Sequence, residues 1–555
     1  MGYVMSARIG FCSDLFTPSA PVKTLAHPDE TLIQFDSSRG LSFANATRNI
    51  LILGQTGAGK TESAVVPGIS ALLAAGFGGI ILDIKGNLRN AVRAAAAACG
   101  REDDIIEIGS APNATPVNIL SGVKPHVREE LFMTLTNHGE SKNSDHYYWT
   151  NKGGKSAADL AYIAAAIAHI AQHCHFSRQF TPTLQLVDAA LCNFSLAQGM
   201  YVFFKAELNA MKKQYKDKVP QFLIDADHFC SSVESDTFHL FLSEESKSGR
   251  ARSDHSEQVT WRLSNLVMRL SQIKNTRDIM RKFSSIGEDA IPLDFRQLVY
   301  KQRKIVLVHF SIDCGLPGEI ISKIIKERYY QSVMQYGLNL PEGEYTFMVG
   351  DEFQEIVDAN PTTRLNDKAF FGMSRQFHNI NMIASQSVAS LYDMGAKTAI
   401  AALLANCTHK ILLQSSDPVT INWVSGFRPD ASTLRTLQRG QCLVESLDED
   451  GTVVSETDGL NTSYASVRDI LEQAEKMGPR QYARRNVEAP YPVGPSGMPY
   501  VIEKMLIELA ECRMDNKGHV NERGINLCHK LRDMRTRSAN GEAYWDTETD
   551  NAPRI

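Results

Sequence analysis

Asn49-Ile50-Leu51-Ile52-Leu53-Gly54-Gln55-Thr56-Gly57-Ala58-Gly59-Lys60-Thr61-Glu62 decides how the rest of the chain is read. Four consecutive aliphatic residues run into a glycine, the look of a strand buried on both faces. Gly54 to Thr61 then satisfies Gly-x4-Gly-Lys-Thr in full, the P-loop pattern. An Ala- and Leu-rich helical stretch follows, and Gly79-Ile80-Ile81-Leu82-Asp83 repeats the strand shape. Strand, helix and strand in this order imply a parallel sheet and an α/β fold.

The chemistry of polyphosphate binding accounts for each residue type in the loop. Gly54, Gln55, Thr56, Gly57, Ala58 and Gly59 offer backbone N–H groups that curl around phosphates, and the glycines allow the curl. Lys60 reaches the β and γ phosphates, and the Thr61 hydroxyl ligates magnesium. Glu62, the next residue, belongs to the same cofactor-binding segment. The cofactors implied are ATP and Mg2+.

Length and composition bound the alternatives. The 555 residues suggest roughly three to four domains. Hydrophobic residues at 43% and charged residues at 22% exclude a disordered or collagen-like chain. Lys and Arg number 58 against 63 Asp and Glu, a formal charge of -5, which excludes a uniformly basic nucleic-acid coat and leaves room for local patches. Ten cysteines without a Cys-x-x-Cys pair read as reduced thiols. No run approaches the roughly 18 apolar residues of a membrane span, and no signal peptide is legible, so the expectation is an unanchored cytoplasmic protein.

Residues 1–45 form an N-terminal segment with a strand near Thr31 to Phe35. Residues 46–120 are the first part of a nucleotide-binding domain, and 121–291, where strand signals fade, read as an all-α insertion. Strand signals return at Ile305 to Val308, Tyr345 to Val349, Ile380 to Ala384 and Lys410 to Leu413, so 292–470 completes the first domain. Residues 471–555 are a linker and a C-terminal extension, with one amphipathic helix after Val501 and weak order beyond Cys512.

A P-loop needs a carboxylate at the end of a neighbouring strand. Tyr345-Thr-Phe-Met-Val-Gly-Asp351-Glu352 supplies two, with Asp351 for the metal and Glu352 as general base, although Gly350 interrupts the apolar run. Gln386, ending the strand near 380–385, is placed either to orient the attacking water or to sense the γ-phosphate. Arg375 reads either as an arginine finger offered to a neighbouring subunit or as a solvated arginine. Asp83-Ile-Lys85-Gly86 is either a functional loop or a capped turn. Between Lys247 and Lys282 nine basic residues stand against three acidic ones. Arg262, Arg269 and Arg277 of this strip are candidate DNA phosphate contacts, with a solvated helix face as the alternative.

Over about residues 46 to 445 these pieces resemble the coupling proteins of type IV secretion and bacterial conjugation, hexameric ATPases related to the FtsK and HerA DNA pumps. Asp83-Ile-Lys85-Gly86-Asn87-Leu88 is similar to that family's Asp-Pro-Lys-Gly-Glu-Leu, with Ile84 and Asn87 as departures. Asn118-Ile119-Leu120 resembles its Asn-Pro-Leu without the proline, and Tyr148-Trp149 resembles the start of its helical domain. Ser374-Arg375 through Gln386-Ser387, and Asn406-Cys407 through Gly426, resemble its arginine-finger strand, glutamine motif and last core segment. The resemblance implies a RecA-like motor domain interrupted by an all-α domain, and a homo-hexamer around a channel. The partners implied are DNA, relaxosome proteins and secretion-channel components, with DNA delivered to the channel. The family usually carries two N-terminal transmembrane helices that this sequence lacks, so membrane contact at the inner face of a bacterial inner membrane is expected only through a partner. The alternative is a nucleotide-gated receptor that recruits protein substrates without touching DNA.

Overall fold

The structure is a computed structural model. It describes residues 29–34, 40–123, 125–136, 145–171, 174, 176–215, 220–236, 263–276, 278–286, 290–358, 365–393, 397–448, 451–457, 467–478, 492–512 and 519–534. The chain divides into two compact units, one of Met1–Thr115 with Asp294–Ala483, the other of Pro116–Leu293 with Arg484–Ile555.

The first unit is built on a nine-stranded sheet. In chain order its strands are β3 (Ile50–Leu53), β4 (Gly78–Asp83), β5 (Ile105–Gly109), β8 (Ile305–His309), β9 (Thr346–Asp351), β10 (Asn379–Ser385), β11 (His409–Leu413), β12 (Cys442–Asp448) and β13 (Gly451–Thr457). Their spatial order is β13-β12-β11-β3-β10-β9-β4-β8-β5, parallel from β11 to β5, with β12 and β13 antiparallel at one edge. A separate antiparallel ribbon pairs β1 (Thr31–Gln34) with β2 (Gly40–Ser42), so the early strand does not enter the main sheet.

Burial explains why the central strands read as unbroken aliphatic runs. Ile50, Ile52, Ile81, Leu307, Val349, Met382 and Ile411 face one way, into a core closed by the helices Val66–Ala74, Arg89–Ala98 and Val467–Lys476. Leu51, Leu53, Ile80, Leu82, Val306 and Met348 alternate with them, point to the other face, and are equally buried. Tyr329, on the helix Gly315–Tyr336, donates to the carbonyl of Phe347 in β9 over 2.9 Å.

The sheet order decides where a ligand can sit. β10 lies between β3, which carries the P-loop, and β9, which ends at Asp351, so three strand ends converge on one edge. From β3 the chain leaves toward β4 on one side and later fills β11 on the other. In open parallel sheets the crevice beyond the strand C-termini, where the order reverses, is the binding position.

Among its described residues the second unit is mainly helical, with a two-residue pairing of β6 (Val117–Asn118) and β7 (Ile291–Pro292). Pro125–Thr136 packs on Asp145–Ile170, and Leu184–Cys192 turns through 112° into Phe194–Tyr215. Asn118 makes a tight turn by accepting from the Leu120 amide, and it donates to Pro182 O. Two C-terminal helices, set aside in sequence as an extension, belong to this unit. Tyr500–Ala510 packs on Phe194–Tyr215 so closely that a Cβ on Gly199 would lie 1.8 Å from Leu506 O. On the helix Glu522–Asp533, Arg532 forms a 2.6 Å ion pair with buried Glu207. Among the described residues no single helix is long and apolar enough to cross a membrane.

Candidate active site

The P-loop begins where β3 ends, and its backbone is tied to both neighbouring strand ends. Gly54 N donates to Ser385 O over 3.3 Å, and Gln55 N to Gln414 O over 2.9 Å. Gly57 and Gly59 take left-handed φ values of 84° and 93°, which L side chains rarely adopt, and so the loop wraps back toward the helix start at Thr61. Thr61 and Gln55 are half-buried, Thr56 and Glu62 are exposed, and Ala58 is buried. Lys60 is buried and folds over the loop, donating to Gly54 O over 2.7 Å. Burial lowers its ammonium pKa; Glu352 and Asp351 pull the other way, and Lys85 adds to the lowering.

Asp351 ends β9 beside the loop, buried, and its Oδ1 has no hydrogen-bond partner among the described residues. Burial first, then the nearby Glu352 and Asp83 carboxylates, raise its pKa to about 6. A desolvated carboxylate oxygen without a donor is costly unless a cation meets it. Asp83, its register partner on β4, is different. Asp83 accepts from the amides of Gly86, Asn87, Leu88 and Arg89 at 2.9 to 3.2 Å, so it caps the turn into the helix Arg89–Ala98. Burial still lifts its pKa to about 6 against those four bonds. The capped-turn alternative therefore holds for Asp83.

Glu352 follows in a left-handed conformation, φ 49° and ψ 47°, uncommon for a residue with a side chain. Its Oε2 accepts from Gln386 Nε2 at 2.9 Å and from Gln354 Nε2 at 2.5 Å, and its Oε1 meets Lys85 Nζ at 3.1 Å. Burial pushes its carboxyl up, but these donors outweigh burial and hold it below the ordinary glutamate value. Gln354 is held in turn by the Ser385 hydroxyl, which donates to its Oε1 over 2.8 Å. Gly350 has a steric reason: a Cβ there would lie 2.7 Å from the Phe353 ring.

Arg375 sits elsewhere. It lies in the turn Ser374–Phe377 before β10, hence at the N-terminal edge of the sheet, about 20 Å of strand from the edge that holds the P-loop. Its side chain is exposed and has no partner among the described residues. Beneath it Ser374 is buried in an amide network with Asn49 and Asn381, at 2.7 to 3.1 Å. Of the basic strip, Arg262 and Arg277 lie outside the described residues. Arg269 is half-buried on the helix over 263–274 and donates to Gln272 over 3.4 Å.

Two residues that sequence reasoning did not assign stand at the site. Lys85 is one. The other is Arg439, whose Nη2 donates to both carboxylate oxygens of Glu62, at 2.9 and 2.7 Å, while Gly440 N donates to Ala58 O. No spacing in the sequence ties Arg439 to the loop; only the return of the chain into β12 brings it there.

These residues fit a nucleotide with a divalent cation. The glycines open a backbone cradle, Asp351 presents an unpartnered oxygen, and Thr61 starts the helix whose N-terminus faces the cradle. Among the described residues no cluster of three or more His, Cys, Asp or Glu side chains could hold a metal alone. That suits Mg2+, which takes one or two protein oxygens and completes its shell with phosphates and water.

No family model matches the sequence, and no curated protein does. Solved structures do. The plasmid coupling protein TrwB in complex with the non-hydrolysable GTP analogue GDPNP aligns with TM-score 0.51 at 12% identity, covering 79% of this chain and 90% of that one. TrwB with ADP and Mg2+ aligns with TM-score 0.47 at 13% identity, covering 81% and 84%. VirB4 of Thermoanaerobacter pseudethanolicus aligns with TM-score 0.40 at 13% identity, covering 80% and 99%. The chain has the fold of the conjugative coupling protein TrwB, a RecA-like P-loop core interrupted in sequence by a helical unit.

Proposed function

We propose that the chain is a Mg2+-dependent ATPase that forms a homo-hexameric ring and acts as a coupling protein, passing DNA with its relaxase to a type IV secretion channel. The observation that carries the reading is the convergence of Lys60, Asp351, Glu352 and Gln386 at one sheet edge, with Glu352 held ionised by its neighbours. Bound ATP and Mg2+ would supply the phosphoryl electrophile and the charge that neutralises its oxygens. Lys60 would exchange the Gly54 carbonyl for the β and γ phosphates, and Thr61 and Asp351 would hold the metal. Glu352, ionised at neutral pH, accepts the proton of the attacking water, which Gln386 helps to orient.

Arg375 is the residue through which assembly would bear on turnover. At the opposite sheet edge it cannot serve its own P-loop, so a role in turnover requires a P-loop from another copy. The fold shared with TrwB supports the coupling-protein assignment. Steady-state ATP hydrolysis with and without single- and double-stranded DNA tests it. Stimulation by DNA is expected; hydrolysis without DNA binding or stimulation would favour a receptor for protein substrates.

A further inference from the structure

We propose that Lys85 is a second γ-phosphate ligand, which pairs with Glu352 and transfers to the terminal phosphate when a nucleoside triphosphate binds, freeing the base. The inference rests on the ATPase reading and deepens it, because it assigns to this chain a residue that senses the third phosphate.

The turn after β4 places the lysine. Gly86 adopts φ 74°, and a Cβ there would lie 3.0 Å from His309 Nε2, so the turn folds tightly and its amides close on Asp83. That closure leaves the Lys85 side chain outside the hydrogen bonds of the turn, about one-third exposed, with its ammonium 3.1 Å from Glu352 Oε1. Lys85 also stands near enough to Lys60 for their repulsion to be felt at the Lys60 ammonium. Two ammonium groups therefore face one compartment, and one of them belongs to the γ-phosphate position by the geometry of the P-loop.

Both oxygens of Glu352 are engaged, Oε1 by Lys85 and Oε2 by Gln354 and Gln386. A water could not then be activated through Oε1. A γ-phosphate entering beside Lys60 carries more negative charge than the single carboxylate and attracts the Lys85 ammonium more strongly. Release of Oε1 then opens a position for water only while the triphosphate is present. A diphosphate leaves the lysine on the glutamate.

The test measures ATP and ADP affinity, each with Mg2+, for the full-length parent, Lys85→Ala and Lys85→Arg. Loss of a charge-assisted contact to the γ-phosphate should weaken ATP binding about ten- to hundredfold and leave ADP binding unchanged, with Lys85→Arg retaining part of the ATP preference. Glu352 keeps its Oε2 partners in Lys85→Ala, and a circular-dichroism melt confirms that the variant folds. Equal weakening for both nucleotides, or no weakening, overturns the Lys85 assignment while leaving the ATPase intact. A folded parent that neither binds nor hydrolyses ATP overturns the ATPase reading, and this assignment with it.

Discussion

Asp83 and Asp351 face each other in register at the ends of adjacent strands, one saturated by four backbone amides and the other with an oxygen that nothing in the described chain satisfies. Their environments differ: Asp83 builds the turn, and Asp351 presents an unpartnered oxygen. Asp83→Asn puts an NH2 against amide donors and should destabilise the protein by about 1–3 kcal/mol. Asp351→Asn removes an uncompensated buried charge, so metal-free stability should stay level or rise while Mg2+-dependent turnover collapses. Thermal melts without metal, paired with turnover assays, check both.

Both carboxyls titrate near 6 in the folded chain against 3.8 as the ordinary value. Between about pH 4 and 6 the folded state holds more protons than the unfolded one, so metal-free stability should fall as pH rises through this window. Mg2+ prefers the ionised Asp351, so Mg2+-nucleotide affinity should move the other way and weaken as pH drops through 6. The nucleotide titrates nearby, so the measurement is the difference between parental and Asp351→Asn binding profiles. A parental profile no steeper than that of Asp351→Asn would contradict the metal assignment.

Gly350→Ala should cost about 1–3 kcal/mol, because the new methyl meets the Phe353 ring and overpacks a closed site. The ring follows Glu352 directly, so turnover should fall too. A parental melting temperature would show that the ring yields freely.

Mixing Arg375→Ala with Lys60→Ala tests action between subunits. Some mixed interfaces join an intact P-loop to an intact arginine, and activity should recover above that of either variant alone. Arginine fingers are worth roughly 1,000-fold or more in turnover, so parental activity should also rise steeply with protein concentration. Parental turnover in Arg375→Ala would remove it from the mechanism.

The central strands and the P-loop were legible because a parallel sheet buried on both faces writes continuous aliphatic runs. β5 was not read, since Glu107 interrupts it; in the fold that glutamate is buried and paired with Arg89. β12 and β13, which the sequence reading did not assign as strands, pair antiparallel with Asp448 opposite Gly451. The contacts of Lys85 and Arg439 were illegible for another reason. Each depends on a partner brought close only by sheet order, and no periodicity records that. Asp83 read as ambiguous because one carboxylate at a strand end serves equally as cap or ligand until its donors are counted.

The most direct test of the account is turnover and nucleotide binding of Glu352→Gln with ATP and Mg2+. The amide preserves the shape of the side chain but cannot take a proton from water. The account predicts ATP binding at least as tight as in the parent and turnover lower by about 100- to 10,000-fold. Parental turnover in Glu352→Gln would contradict it.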